Sequence, residues 1–242
     1  MLSRAGAVSH LVVALDTSER DEILALAGAL AGRVGMFKLG LEAFAACGPS
    51  LVGEVRALGV PVFLDLKLHD IPNTVEKAAR NCARLGVSLL TTHAGGGAAM
   101  LRAAVAGAAA GTPPGQARPR VLAVTVLTSL DDAALDELGI PGGAAARVAS
   151  WAGLAHGCGC DGVVCSPQEI TALRAALGAE FILLTPGIRP AGQAAGDQRR
   201  VATPRAAVAA GATYLVIGRP ITAAADPVAA TEAILDELSG DD

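Results

Sequence analysis

Aromatic residues are almost missing from this chain: four Phe, one Trp and one Tyr in 242 residues. A surface that stacks single-stranded bases needs several of them, so their scarcity argues against that class of binding. Positive charge is also short. Nineteen Lys and Arg stand against 23 Asp and Glu, a formal net charge of −4. That balance argues against a broad face for the phosphate backbone of nucleic acid, although a local basic pocket for a small anion is compatible with it. No apolar run reaches the roughly 18 residues of a membrane span. The apolar run at 11–15 stops at Asp16, too early for a secretory signal. The expectation is a soluble cytoplasmic protein with neither a nucleic-acid nor a membrane partner.

Cysteine is sparse and odd in number, at positions 47, 82, 158, 160 and 165. Cys158-Gly-Cys160 has the wrong spacing for a Cys-x-x-Cys redox or zinc pair. All five read as small core filler in a reducing compartment, with no metal expected. No Gly-x-Gly-x-x-Gly fingerprint follows the first strand either. Asp16-Thr17-Ser18 follows the first apolar strand instead, which argues against a doubly wound dinucleotide fold.

What the chain has in quantity is small and aliphatic side chains, with 52% apolar residues. They fall into an alternation of β-type runs and Ala/Leu-rich stretches. Strands are expected at 11–16, 36–40, 61–67, 89–94, 120–127, 162–166, 181–186 and 214–218. Helix formers fill 20–32, 50–58, 74–85, 97–110, 144–156, 167–177, 204–210 and 227–238. Eight strand-then-helix units of continuous apolar strands predict a (β/α)8 TIM barrel, an α/β fold with a parallel sheet covered on both sides. Its usual length of about 250 residues matches a single domain over 1–242, with residues 1–10 as an N-terminal extension. Residues 111–119 read as a loop at the N-terminal face, and 189–200 as a longer loop suited to a mobile lid.

The residues that carry chemistry fall at one end of these strands. Asp16 follows the first strand, Lys38 is on the second, and Asp65 and Lys67 are on the third. His93 ends the fourth, Thr128 follows the fifth, Arg189 the seventh and Arg219 the eighth. In a barrel these ends share one mouth, where active sites lie. Asp65 and Lys67 are two apart on a strand and so share a face. Asp70 begins a loop that Pro72 is expected to keep from turning helical at once. A structural salt bridge would explain Asp65 and Lys67 alone. It would not explain Arg189 and Arg219 after strands seven and eight, where barrels often hold a phosphate and where Gly218 lets backbone N–H groups approach an anion. The sequence leaves His93 open between a hydrogen-bonded supporting residue, the commoner role at a strand end, and a catalytic one.

Seven segments, in order, carry a resemblance that covers nearly the whole chain: Leu-Asp16-Thr, Phe-Lys38-Leu-Gly, Phe-Leu-Asp65-Leu66-Lys67-Leu68-His69-Asp70-Ile71-Pro72-Asn73-Thr74, Val-Thr-Val-Leu-Thr128-Ser, Thr-Pro-Gly-Ile-Arg189-Pro, Gly-Asp-Gln198-Arg-Arg and Val-Ile-Gly218-Arg219-Pro. The sequence resembles the orotidine 5′-phosphate decarboxylase family, in its bacterial branch. The resemblance implies a homodimeric barrel that turns orotidine 5′-phosphate into UMP and CO2, a step of pyrimidine biosynthesis, with no metal or organic cofactor. It implies that Lys38, Asp65, Lys67 and Asp70 form an alternating charged network, with Lys67 as proton donor and Asp70 reaching the partner subunit's site. It further implies that Asp16 and Lys38 hold the ribose hydroxyls, that Thr128 reads the pyrimidine, and that Arg189, Gln198, Gly218 and Arg219 clamp the phosphate. The whole stretch from Asp65 to Thr74, including Leu66, Leu68, His69, Ile71, Pro72 and Asn73, is then expected to contribute to substrate binding. The nearest rival is a metal-dependent sugar-phosphate enzyme of the same superfamily, which typically carries a glutamate at the end of the second strand. Lys38 stands there instead, and its ammonium would repel the metal.

Overall fold

The structure is a computed structural model that describes residues 2–190 and 201–240. Eight parallel strands close into a barrel: β1 (Leu11–Ala14), β2 (Met36–Gly40), β3 (Val62–Leu68), β4 (Leu89–His93), β5 (Arg120–Val124), β6 (Gly162–Val164), β7 (Ile182–Thr185) and β8 (Tyr214–Ile217). The ring is sealed where β1 pairs with β8, Leu11 opposite Leu215. Alternation of side chains builds two layers. Val12, Met36, Phe63, Leu89, Leu122 and Val216 point inward and fill the barrel. Their neighbours Leu11, Phe37, Val62, Leu90, Val121 and Leu215 point outward against the helices. Both faces are dry, which is why the strands read as unbroken apolar runs. The single-domain (β/α)8 barrel expected from the alternation is the fold found.

Helices cover the outside, and alanine and glycine set how closely they pack. A Cβ on Gly107 would stand 2.1 Å from the Glu76 carbonyl oxygen, and one on Gly111 the same distance from that of Arg80. The helices Pro72–Arg84 and Gly97–Gly111 therefore touch backbone to backbone, which larger residues would prevent.

Some boundaries differ from expectation. Residues 4–10 form a helix, Arg4–His10, whose Ala7 is fully buried and whose Arg4 pairs with Glu232 and Asp236 on the helix Pro227–Ser239. Short helices at Leu41–Cys47, Asp132–Glu137 and Arg219–Thr222 were not expected, because one or two turns leave too few residues to show a period. Pro72 does not hold off the helix. Ile71 is extended, as a residue before proline must be, and Pro72 is the first helical residue, where its missing N–H costs nothing. Asn73 and Thr74 are thus helical. β5 stops at Val124, after which Thr125 turns its hydroxyl to the Val164 carbonyl at 2.8 Å. The 111–119 segment joins the helix Gly97–Gly111 to the start of β5, at the N-terminal face. No helix among the described residues is long and apolar enough to cross a membrane.

Candidate active site

The site begins with an irregularity in β3. Between Leu64 and Leu68 this strand advances four residues while β4 advances only two, from Leu90 to Thr92. Residues 65–67 therefore bulge relative to β4, while Asp65 stays paired with Gly40 of β2, and bulges of this kind re-aim side chains at barrel rims. Lys67 takes a φ of +50°, the one left-handed non-glycine backbone among the described residues. Such a conformation costs about 1–3 kcal/mol and persists only where the surroundings hold it. Here the Lys67 N–H donates to Thr91 Oγ1 at 2.9 Å.

The bulge delivers Lys67 to a row of alternating charges. Its Nζ lies 2.6 Å from Asp65 Oδ2. Lys38 Nζ, from β2, lies 3.8 Å from the same oxygen and 2.8 Å from Asp16 Oδ1, just beyond β1. Asp65 is 7% exposed and Lys38 is 8% exposed. An unpaired charge at that depth would be strongly destabilising, so the row must act as a unit. Asp65 Oδ1 is satisfied separately, by the Thr91 hydroxyl at 2.9 Å.

Across the mouth stand the two arginines. Asp16, Lys38, Asp65, Lys67, Thr128, Arg189, Gly218 and Arg219 all line one cavity of about 470 Å³. Burial and the nearby Arg219 push the Arg189 guanidinium below its usual pKa. Two cations held against one space in this way favour an anion between them. Gly218 precedes the short helix that begins at Arg219 and lines the cavity beside it. The cavity floor is apolar, with Ala14, Phe63, Val124 and Val216, so the charges sit on its wall.

The family model described as Orotidine 5′-phosphate decarboxylase / HUMPS family matches residues 9–234. The chain belongs to this family. It is 58% identical over 208 residues to an orotidine 5′-phosphate decarboxylase of Anaeromyxobacter sp. (strain K), covering 86% of this chain and 88% of that protein. Identity to the enzyme of the same name from Moorella thermoacetica is 54% over 240 residues, covering 97% of this chain and 94% of that one. Among solved structures, orotidine 5′-phosphate decarboxylase from Lactobacillus acidophilus superposes with a TM-score of 0.85 at 40% identity, covering 94% of this chain and 98% of that chain.

Not every residue of the family resemblance lines the cavity. Leu66 and Leu68 pack into the apolar layer between sheet and helices. Asp70 is exposed at the rim, where its Oδ1 accepts the Ile71 N–H at 2.7 Å. Ile71 is 66% exposed beside it, and Pro72, Asn73 and Thr74 continue outward on the exposed first turn of their helix. This rim strip lies outside the site of its own subunit. His69 stacks on His93, ring centroids 5.2 Å apart. Burial, then His69 and Lys67, lower the pKa of His93, while Asp65 opposes them. Neither imidazole lines the cavity. Gln198 lies outside the described residues.

The family pattern also left useful residues unmarked. Thr91 holds both Asp65 and Lys67, and its only sequence signal is a hydroxyl within the apolar run of β4. Glu42 lines the cavity from the unexpected helix Leu41–Cys47 and accepts a hydrogen bond from Ser18 at 3.2 Å.

Proposed function

We propose that this protein decarboxylates orotidine 5′-phosphate to UMP and CO2, as the names of its relatives suggest. The observation that carries the reading is the Asp16–Lys38–Asp65–Lys67 row facing Arg189 and Arg219 across one cavity. An anionic pyrimidine nucleotide needs both ends. The arginines suit its phosphate, with Gly218 leaving room for backbone contact and Gln198, outside the described residues, assigned to the same clamp. Asp16 and Lys38 suit the ribose hydroxyls, and Thr128 the pyrimidine edge.

Loss of CO2 from C6 leaves a carbanion that no neighbouring π-system readily delocalises. The chain must then supply electrostatic stabilisation. In our reading the Lys67 ammonium meets the developing charge and then gives C6 its proton. The electron pair of the broken C–C bond becomes the new C–H bond. Asp65 pairs with both ammoniums, of Lys67 and Lys38, and holds them in place.

The substrate carboxylate would also settle near Asp65. Two like charges at 4 Å repel by about 4 kcal/mol at an effective dielectric near 20, and departure of CO2 relieves that. Enzymes lower barriers by about 8–23 kcal/mol, so repulsion alone is too small and carbanion stabilisation by Lys67 must carry more. Phosphate binding energy offsets the crowding.

No metal or organic cofactor enters this reading. The ammonium of Lys38 fills the space between the Asp16 and Asp65 carboxylates, where a bridging cation would need to sit. We further propose a cytoplasmic homodimer in which Asp70, exposed on the rim with Ile71, completes the partner subunit's site. The test is a spectrophotometric assay with orotidine 5′-phosphate, run with and without chelator. Equal turnover in both is expected. Binding without turnover would reduce the protein to a phosphate-binding barrel, and loss on chelation would favour a metal-dependent relative.

A further inference from the structure

We propose that Thr91 is a positioning residue for Lys67. One hydroxyl fixes the backbone of the lysine and the carboxylate that holds its ammonium. The inference rests on the decarboxylase reading for its effect on turnover, but not for its geometry.

Thr91 is fully buried. It lies two residues beyond Leu89 on β4, so its side chain faces the barrel interior, one layer above the apolar fill. It does not line the cavity and has no route to substrate of its own. Its oxygen accepts the Lys67 N–H at 2.9 Å, and its proton goes to Asp65 Oδ1 at 2.9 Å. Asp65 Oδ2, the other oxygen of that carboxylate, holds Lys67 Nζ at 2.6 Å. The contacts close a ring running from the Thr91 hydroxyl through the Asp65 carboxylate and the Lys67 side chain to the Lys67 amide, and back to the hydroxyl.

The ring explains how a left-handed lysine persists at φ +50°. The bulge takes residues 65–67 out of regular pairing with β4, and on that side the Thr91 hydroxyl supplies the Lys67 amide with a partner. Removing it would leave a partly buried amide and a buried carboxylate oxygen short of partners together. Both groups would be free to move, and the ammonium with them. Displacement by about 1 Å near a reacting centre can cost about a hundredfold in rate.

Thr92 provides the control. It is equally buried, and its hydroxyl also stitches β4 to the bulge, donating to the Leu68 carbonyl at 2.9 Å. It touches neither Asp65 nor Lys67 through that bond.

The test compares Thr91→Val, Thr91→Ser and Thr92→Val with wild type. Two readouts are used, steady-state turnover of orotidine 5′-phosphate and the ¹³Cα and ¹³Cβ shifts of Lys67, which report its φ. Thr91→Val should lose about tenfold or more in kcat with KM changed less than about threefold, as expected when a transition-state contact is lost. Thr91→Ser, which keeps the hydroxyl, and Thr92→Val should stay within about threefold of wild type in kcat. The Lys67 shifts should move in Thr91→Val alone. Thr91→Ala replaces Thr91→Val if the valine variant does not fold. Unmoved Lys67 shifts, or a kcat loss as large in Thr91→Ser or Thr92→Val as in Thr91→Val, would overturn the proposal. A wild-type protein that does not decarboxylate the substrate would sink the functional reading instead, and the shifts would still decide whether Thr91 sets the lysine.

Discussion

Gly40 is the space that the Lys38 ammonium occupies. A Cβ on residue 40 would stand 2.9 Å from Lys38 Nζ and 2.8 Å from Asp16 Oδ1. The backbone there, at φ −90° and ψ −173°, is one that alanine adopts freely. The glycine is therefore required by its neighbours' charges and not by its own conformation. Gly40→Ala should leave the thermal midpoint nearly unchanged, because the ends of two flexible side chains can yield. The ion pair would shift, and kcat/KM should fall about tenfold or more. A midpoint that drops sharply with unchanged kcat/KM would reverse the assignment.

Lys67→Ala should abolish nearly all turnover while the fold is retained. Binding of a substrate analogue should weaken far less than turnover does. A variant that keeps more than about a tenth of wild-type turnover, a loss under ~1.4 kcal/mol, is incompatible with Lys67 as the proton donor.

Arg219→Ala should lower kcat/KM strongly on orotidine 5′-phosphate and little on the phosphate-free nucleoside. Remote binding energy can be lost only when the phosphate is present. Kinetics on both substrates decide the matter, and equal losses would show that Arg219 holds something other than phosphate.

Subunit sharing is tested by complementation. Lys67→Ala and Asp70→Ala homodimers should each be nearly inactive. After mixing and exchange, half the dimers are heterodimers if pairing is random, each with one doubly damaged and one intact site. About a quarter of wild-type activity should return for a closed two-fold dimer. No recovery, with subunit exchange verified by mass spectrometry, would restrict Asp70 to its own chain.

The burial of His93, reinforced by the neighbouring His69, predicts an acid-side loss of stability. The His93 pKa is lowered in the folded protein, from about 6.5 in the unfolded chain. Between those values the unfolded state binds more protons, so stability is fully present above about 6.5 and falls as pH drops through the window. The groups that face His93 are His69, Lys67 and Asp65, of which only Asp65 favours its charged form. His93→Asn should flatten the loss in urea midpoint between about pH 7.5 and 5.5. An unchanged slope would place the acid sensitivity elsewhere.

The barrel itself was legible in the sequence because its signal is local and repeated. Each dry strand needs its own apolar run, and each covering helix its own stretch of helix formers. The mouth was legible for a related reason: Asp16, Lys38, Asp65, Lys67, Arg189 and Arg219 are each costly at the end of an apolar strand unless paired or used. Even the pairing of Asp65 with Lys67 followed from their spacing, though β3 is not regular where they meet.

Tertiary structure alone decided what joins these parts. Closing the ring sets the ends of β1, β2 and β3 side by side, which puts Lys38 between two carboxylates and makes residue 40 a glycine. It sets β7 near β8, so that Arg189 feels the charge of Arg219. It lays β4 along a bulged β3, and only there does a threonine in an apolar run become the partner of a lysine and an aspartate. A local pattern shows that a group is buried. Which distant atom satisfies it depends on register, and register exists only once the strands have paired.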